Sequence, residues 1–466
     1  MVPDRHLRAA SAAVLVVLAA CATRPPGVAD MAGVAVPTQW AQPRPAGGAT
    51  FASWWSSFGD PMLAELVAAA ARGNTDVARA GANLRLARAL RQQAAAGLLP
   101  TISAGASGQR SDSAAGGRTT LQAGLDAAWE PDLFGANRHA LGSQEAQVRA
   151  SAATLAATHV SVAAEVALAY LDVRAAQVRT AVARENLASQ EETLQISRWR
   201  QQAGLANSLE VEQALGAVEQ TRAQVPGLLA AAAAAAHALA VLVGEPPEAL
   251  LQRLAATPAV LPQPSAALEV AIPAQALRQR PDVFAAEQQL RAAASDVAAA
   301  DAQRKPAVNL SASLAWTGAT LGSIGSVAAA RSLLASIAQP LFDAGRRDAQ
   351  LAAREAAFDA AGAGYRATVL VALQEVEDAL ASLAADRERL AALQRALAAA
   401  RNASLLATQR HASGLIDFQT VLETQRTLLS VQDSVASVQA AVAADHVRLY
   451  KALGGGWRDT GMEMNS

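Results

Sequence analysis

Residues 200–213 read RQQAGLANSLEVEQ, and residues 410–425 read RHASGLIDFQTVLETQ. In each, a glycine stops a run of helix-forming residues, and a second amphipathic run starts a few residues later. Gly204-Leu205 and Gly414-Leu415 stand 210 positions apart. The same spacing relates Glu165-Val166 to Glu375-Val376 and Val243-Gly244 to Leu453-Gly454. An internal repeat on this scale sets the architecture: one design is used twice.

Working outward, the flanks of both turns carry a period of seven. Val369, Val376, Leu383, Leu390 and Leu397 are one series; Val421, Leu428, Val435, Val442 and Leu449 are another. The first half repeats the second series as Val211, Val218, Val225, Ala232 and Leu239. An ordinary helix of period 3.6 drifts off such a stripe over five heptads, so the strict period implies coiled-coil packing. From Asn137 to Gln202 no proline interrupts the chain, which allows a single helix roughly 100 Å long. Farther out, Asp60-Pro61 opens a helix expected to run to about Ala96, and Pro281-Asp282 opens its counterpart in the second half.

Between the short and long helices lie different segments. Residues 101–109 and 121–129, and then 307–316 and 331–339, alternate apolar with small or polar residues. Their length suits membrane β-strands, which need ~9–11 residues. Four strands cannot close a barrel, and an open edge in lipid is costly, so several chains must pool them. Trp129 and Trp316 are the candidates for an interfacial aromatic girdle.

The start of the chain has another character. Arg5, His6 and Arg8 precede a short apolar run that ends in Leu18-Ala19-Ala20-Cys21, the single cysteine of 466 residues. A basic start, a short apolar core and small residues before the cysteine form a lipoprotein signal, with Cys21 the lipidated new N-terminus. With one cysteine, no disulfide forms within the chain. Residues 22–50 are rich in Pro, Gly and Ala and make an extended tether. Beyond Cys21 no apolar run is expected to be long enough for a transmembrane helix.

Composition narrows the function. Lys+Arg total 39 and Asp+Glu 40, a net charge of -1, which argues against a nucleic-acid binder, whose mark is a basic stripe. The six histidines show no metal-ligand spacing, and no HExxH, GxSxG or phosphate-binding loop is present, so neither an enzyme nor a cofactor is indicated.

Together the stretches Trp54-Trp55, Phe58-Gly59-Asp60-Pro61, WEPDLFG (129–135), RQRPDVFAAEQQL (278–290), QPLFDAGRR (339–347) and LYKALGGGW (449–457) resemble the outer-membrane efflux channels of the TolC/OprM type, in the NodT-like lipoprotein branch. The resemblance covers nearly the whole mature chain, in both halves. It implies an α+β membrane protein that assembles as a homotrimer. Four strands per chain would form a 12-stranded barrel in the outer membrane, and the long helices a coiled-coil tunnel through the periplasm. The implied division is a signal at 1–20, a tether at 21–50, a first repeat at 51–243 with long helices from about 137, an equatorial connection at 244–273, a second repeat at 274–454 with long helices at about 345–453, and a tail at 455–466. The implied partners are a periplasmic adaptor and an inner-membrane pump, usually of the resistance-nodulation-division type. The channel itself would be a passive exit duct for drugs or other small molecules. Protein secretion, metal-ion efflux and a non-channel periplasmic coiled-coil lipoprotein are the alternatives.

The resemblance also assigns a gate. Aligned on Gly414, the family's acidic gate position falls on Glu423, and its first-half equivalent is Gln213, with Glu210 and Glu212 nearby. Three copies of Glu423 around a narrow axis would repel one another and attract cations. His411 stands where the family often has tyrosine. Arg200 and Arg410, just before the turns, are expected to pair with carboxylates or face water. The turns, with Gly204, Leu205, Gly414 and Leu415, are the expected adaptor contact, since exposed helical tips suit docking against another coiled hairpin.

Overall fold

The computed structural model describes residues 25–27, 36–41, 51–113, 116–264, 273–321, 324–455 and 457. Cys21 and most of the expected signal and tether lie outside the described residues. A 3-10 turn at Phe51–Phe58 leads to α1 (Pro61–Gly73), α2 (Thr75–Ala96), β1 (Thr101–Ser113), β2 (Gly116–Trp129), α3 (Ala136–Gln202), α4 (Ser208–Val243) and α5 (Pro247–Ala255). Then follow α6 (Pro273–Arg278), α7 (Pro281–Ala302), β3 (Ala307–Leu321), β4 (Ile324–Ala338), α8 (Arg346–Ala412) and α9 (Phe418–Ala452). The chain divides into two compact units, and the division falls within α2, α3, α7 and α8.

The first unit holds residues 82–153 and 284–368, and with them the sheet. Its order is β1-β2-β3-β4, antiparallel throughout. The register sorts side chains by face. Ile102, Ala127, Ala312 and Leu333 lie in one cross-strand row, and Ser103, Asp126, Ser313 and Ser332 in the next. Leu121, Leu125, Trp129, Leu314, Trp316, Val327 and Ile337 belong with the first row, so one face is mostly apolar, with Arg110, Asp112 and Arg331 its charged members, and carries both tryptophans. The other face is mostly Ser, Thr, Gln and Ala, with Ser313 and Ser332 hydroxyls 2.8 Å apart. This is the division between lipid and lumen in a membrane barrel.

The strands are 13 to 15 residues long, longer than the nine or so read from alternation. Pairing extends through Gln109–Ser113 and Gly116–Thr120 because a ladder needs only backbone groups there. Both hairpins are tied down alike. Trp129 Nε1 donates to the Leu98 carbonyl at 3.1 Å, and Gln339 Nε2 donates to that of Arg304 at 3.0 Å. Asp132 and Asp343 each accept backbone N–H groups at the starts of α3 and α8. Leu290, Ala294 and Phe358 form the small core of the helices in this unit.

The second unit holds residues 35–81, 154–283 and 369–466. Its main core gathers Trp54, Leu63, Leu66, Tyr170, Leu239, Leu250, Leu383, Val447 and Tyr450. Trp54 stacks on Tyr450, with centroids 5.1 Å apart. Most heptad residues are buried, Val369, Val376, Leu383, Val421, Val435, Val442, Leu449, Val211, Val218 and Leu239 among them, while Leu390, Leu397, Leu428, Val225 and Ala232 are half-buried.

Three expectations need correction. The helix opened by Pro61 does not run to Ala96; it breaks at Asn74, whose side chain accepts from the N–H groups of Asp76 and Val77 and donates to the Leu242 carbonyl at 2.9 Å. The break lies where the Gly73 and Gly244 backbones meet too closely for any Cβ. The counterpart of Pro281 is therefore Thr75, not Pro61: α2 and α7 are both 22 residues long, with starts 206 positions apart. Finally, α3 and α4 are long and apolar enough to cross a membrane by length and composition. The alanine run of residues 230–236 raises the apolar character of α4 without bulk, as close helix packing needs.

Candidate functional site

The two turns singled out in the sequence end their helices by the same device. Gly204 and Gly414 have φ of 75° and 72°, a left-handed conformation that glycine adopts without strain. The N–H of Leu205 reaches the Arg200 carbonyl at 2.8 Å, and that of Leu415 reaches Arg410 at 2.9 Å. The glycine N–H groups bond to Gln201 and His411, each at 2.9 Å, completing two Schellman motifs. The next helices are capped by Asn207, which accepts from the Glu210 N–H, and by Asp417, which accepts from both the N–H and the hydroxyl of Thr420. These bonds hold the Asp417 carboxyl below its usual range.

A Schellman turn commonly buries the residue after its glycine. Here Leu205 and Leu415 are 71% and 73% exposed, so each tip presents an unpaired apolar side chain. Behind them, Leu194, Val211, Ala214, Val218, Ala407, Phe418, Val421 and Leu422 form one buried cluster joining both hairpins.

Of the two arginines, Arg200 departs from the expectation. Arg200 bonds to His411, Nη1 to Nε2 at 3.2 Å, rather than to a carboxylate, and so links the two turns. His411 also packs against Phe418, with centroids 5.4 Å apart. Arg410 is exposed, and no ion pair is recorded for it among the described residues. Glu423 is exposed beside buried Leu422, while Gln213 and Glu210 are half-buried. Nothing among the described residues joins Glu423 to Gln213 or Glu210 by a hydrogen bond.

Above the tips runs a polar seam that the apolar heptads did not reveal. Arg179, Asn186 and Thr193 lie seven apart on α3 and meet α9. Arg179 grips Asp433 through two bonds at 2.7 and 3.0 Å, Asn186 donates to Gln432 at 2.6 Å, and Thr193 accepts from Gln425 at 3.0 Å. Arg222 on α4 crosses to Glu191 on α3 at 2.6 Å. The seven-residue spacing of Arg179, Asn186 and Thr193 was the available signal. Such pairs set register between helices more than they add stability.

Comparison with known proteins bears on these features. The model of the outer membrane efflux protein family matches residues 66–245 and 272–455. The chain is 35% identical to the pyoverdine export outer membrane protein OpmQ of Pseudomonas aeruginosa, covering 95% of each chain. It is 33% identical to OprJ of the same species, covering 94% of each. It is 30% identical to nodulation protein T of Rhizobium leguminosarum bv. viciae, covering 88% of this chain and 86% of the other. Among solved structures, the outer-membrane channel OprN superposes with a TM-score of 0.82 at 35% identity, covering 94% of this chain and 97% of that one. The open-state MtrE channel of Neisseria gonorrhoeae follows at 0.77 and 26%, covering 94% and 99%.

Proposed function

The chain belongs to the outer membrane efflux protein family, and from that premise we propose that it is the passive exit duct of a tripartite pump, working as a homotrimer. The observation that carries this reading is the amphipathic four-stranded sheet with two free edges, on a chain whose repeated halves each include a 67-residue helix. Three copies bring twelve strands, enough to close a barrel and remove the edges. Energy enters through an inner-membrane pump, reached through a periplasmic adaptor that docks on the tips at Leu205 and Leu415. Arg200 and Arg410 flank that contact. Lipidation at Cys21 anchors each chain to the membrane its barrel enters.

The gate belongs at the same end. Glu423 is exposed one residue from the buried tip cluster, and a threefold axis would bring three such carboxylates together, with Gln213 and Glu210 on the other hairpin. Like charges at close range hold out other anions and draw cations. Relatives are named for pyoverdine, toluene and antibiotic export, so a common duct serves different cargoes and the pump selects. No catalytic group, metal or cofactor enters this mechanism.

The test is single-channel conductance in planar bilayers, native against Glu423→Ala. Small, cation-sensitive currents that grow in the variant support a duct closed by an acidic ring. Currents unchanged by the substitution remove Glu423 from the gate. Silence from membrane-inserted trimers removes the duct.

A further inference from the structure

Within one chain the two halves meet as β2 against β3, with Trp129 opposite Leu310 and Leu121 opposite Gly318. This leaves β1 and β4 as edges, and residues 101–112 and 327–338 are all exposed. Free strand edges invite pairing with another chain.

The repeat says what fits. β1 begins at Thr101 and β3 at Ala307, a shift of 206. Thr101 lies opposite Ala128 and Ala307 opposite Ala338, so β2 maps on β4 with a shift of 210. The bonds from Trp129 to Leu98 and from Gln339 to Arg304 obey the same two shifts. Applying them to the β2–β3 pairing places β4 of one copy against β1 of the next.

We infer that this junction has one register, in which Ser336 faces the partner's Ser107, Ser332 faces the partner's Ser111, and Arg331 faces the partner's Asp112. The inference rests on the trimeric reading above and specifies its seam.

Two features of the side chains support this register independently of the repeat. A slip of one residue would turn every side chain of β4 to the wrong face, because the side-chain period of a strand is two. The inferred register instead continues both faces: Ser332 and Ser336 belong to the polar face, as do Ser107 and Ser111. The second feature is charge. Arg331 sits in the apolar row of β4 between Val327 and Leu333, and no ion pair is recorded for it among the described residues. Asp112 lies in the matching row of β1, 3.5 Å from Arg110 of the same strand. An arginine on the lipid face is costly, and a facing carboxylate offsets part of that. Slipping by two residues in one direction sets Arg331 against the partner's Arg110. Slipping in the other carries it past the end of β1 at Ser113.

Cysteine cross-linking of the full chain tests this, since Cys21 is its only native cysteine and single-cysteine controls account for it. Ser336→Cys with Ser107→Cys, and Ser332→Cys with Ser111→Cys, place Cα atoms ~4.5–5.5 Å apart, within disulfide range. The exchanged pairs, Ser336→Cys with Ser111→Cys and Ser332→Cys with Ser107→Cys, use the same four substitutions but lie four residues out of step. The inferred pairs should give several-fold more linked multimer on non-reducing gels than the exchanged ones. Preferential linkage of an exchanged pair, or of Ser336→Cys or Ser332→Cys with Gln109→Cys, overturns the register. So does failure of both inferred pairs in protein that light scattering shows to be trimeric. Protein that is only monomeric overturns the trimeric reading and the register with it. A charge swap gives a second measurement: Arg331→Glu should reduce the fraction surviving as trimer on unheated gels, and adding Asp112→Arg should restore it. A double variant no better than the single overturns the pairing of these two residues.

Discussion

Arg200 Nη1 lies 3.2 Å from His411 Nε2, and this contact ties the turn of the first repeat to that of the second. A guanidinium only donates, so Nε2 accepts and the imidazole proton sits on Nδ1, which points at the Ile416 carbonyl at 3.3 Å. His411 thereby supplies an acceptor that links both hairpins.

His411→Phe keeps a ring against Phe418 but removes the acceptor. One such bond contributes about 1 kcal/mol, so amide exchange in residues 203–207 and 413–417 should quicken by ~5-fold. Equal exchange in the two proteins would show that the contact does not hold the turns together.

A second linkage runs from Tyr170 to the start of α1. Its hydroxyl donates to Asp60 Oδ2 at 2.6 Å and accepts from Arg174 Nε at 3.0 Å. Burial, aided by the hydrogen bond to Asp60, raises the Tyr170 pKa to about 12, so the hydroxyl keeps its proton at any physiological pH. Arg174 is 1% exposed and also reaches Gln177 and Thr257. Tyr170→Phe leaves the Arg174 Nε–H without its acceptor and should cost about 1–3 kcal/mol, read as a lowered thermal midpoint. A midpoint within error of native would mean that water replaces the hydroxyl.

Acid sensitivity should trace in part to His446. Burial pushes its imidazole below the usual range; the Arg387 guanidinium adds to this, and the Val442 carbonyl opposes it. The folded chain therefore binds this proton less well than the unfolded chain does. Stability from this group is present above about 6.5, the unfolded value, and is lost as pH falls toward the folded value. Asp445 beside it is shifted upward by burial, which has the opposite sign, but that carboxyl is common to both proteins and cancels. Between pH 7.5 and 5 the thermal midpoint of the native protein should fall more steeply than that of His446→Gln. Parallel slopes would clear His446 of the effect.

Gly244 and Gly204 separate two uses of a left-handed glycine. Both have φ near +75°, but an added Cβ at Gly244 runs into the Gly73 backbone, whereas at Gly204 nothing lies within 4 Å. Gly204→Ala should cost about 1–2 kcal/mol from backbone strain alone. Gly244→Ala should cost more and loosen the Gly73–Asn74 break as well, seen as faster exchange in α1. Equal penalties would mean that the close approach relaxes freely.

Much of the fold was legible because periodicity is local information. Heptads marked α4, α8 and α9, and Gly204 and Gly414 marked the turns. The break at Asn74 was not, since nothing in RGNTD signals that Val243 and Gly244 come to lie against it. Strand lengths were underestimated because pairing carries residues such as Gly116 and Gly117 whatever their side chains. At the candidate site, the turns and their exposed leucines could be placed from spacing, while the Arg200–His411 link joins residues 211 positions apart and has no sequence pattern.

The sequence alone determined the twofold repeat, the coiled-coil helices, the glycine turns and the strand-like segments, each of which follows from side-chain spacing along one stretch of chain. Only the tertiary structure decided which residues meet across that repeat: Tyr170 with Asp60, Arg179 with Asp433, and β2 with β3 in a register that sorts apolar from polar faces. Those choices depend on backbone approach and on the partnering of buried polar groups, which are set by distance in space rather than by position along the chain.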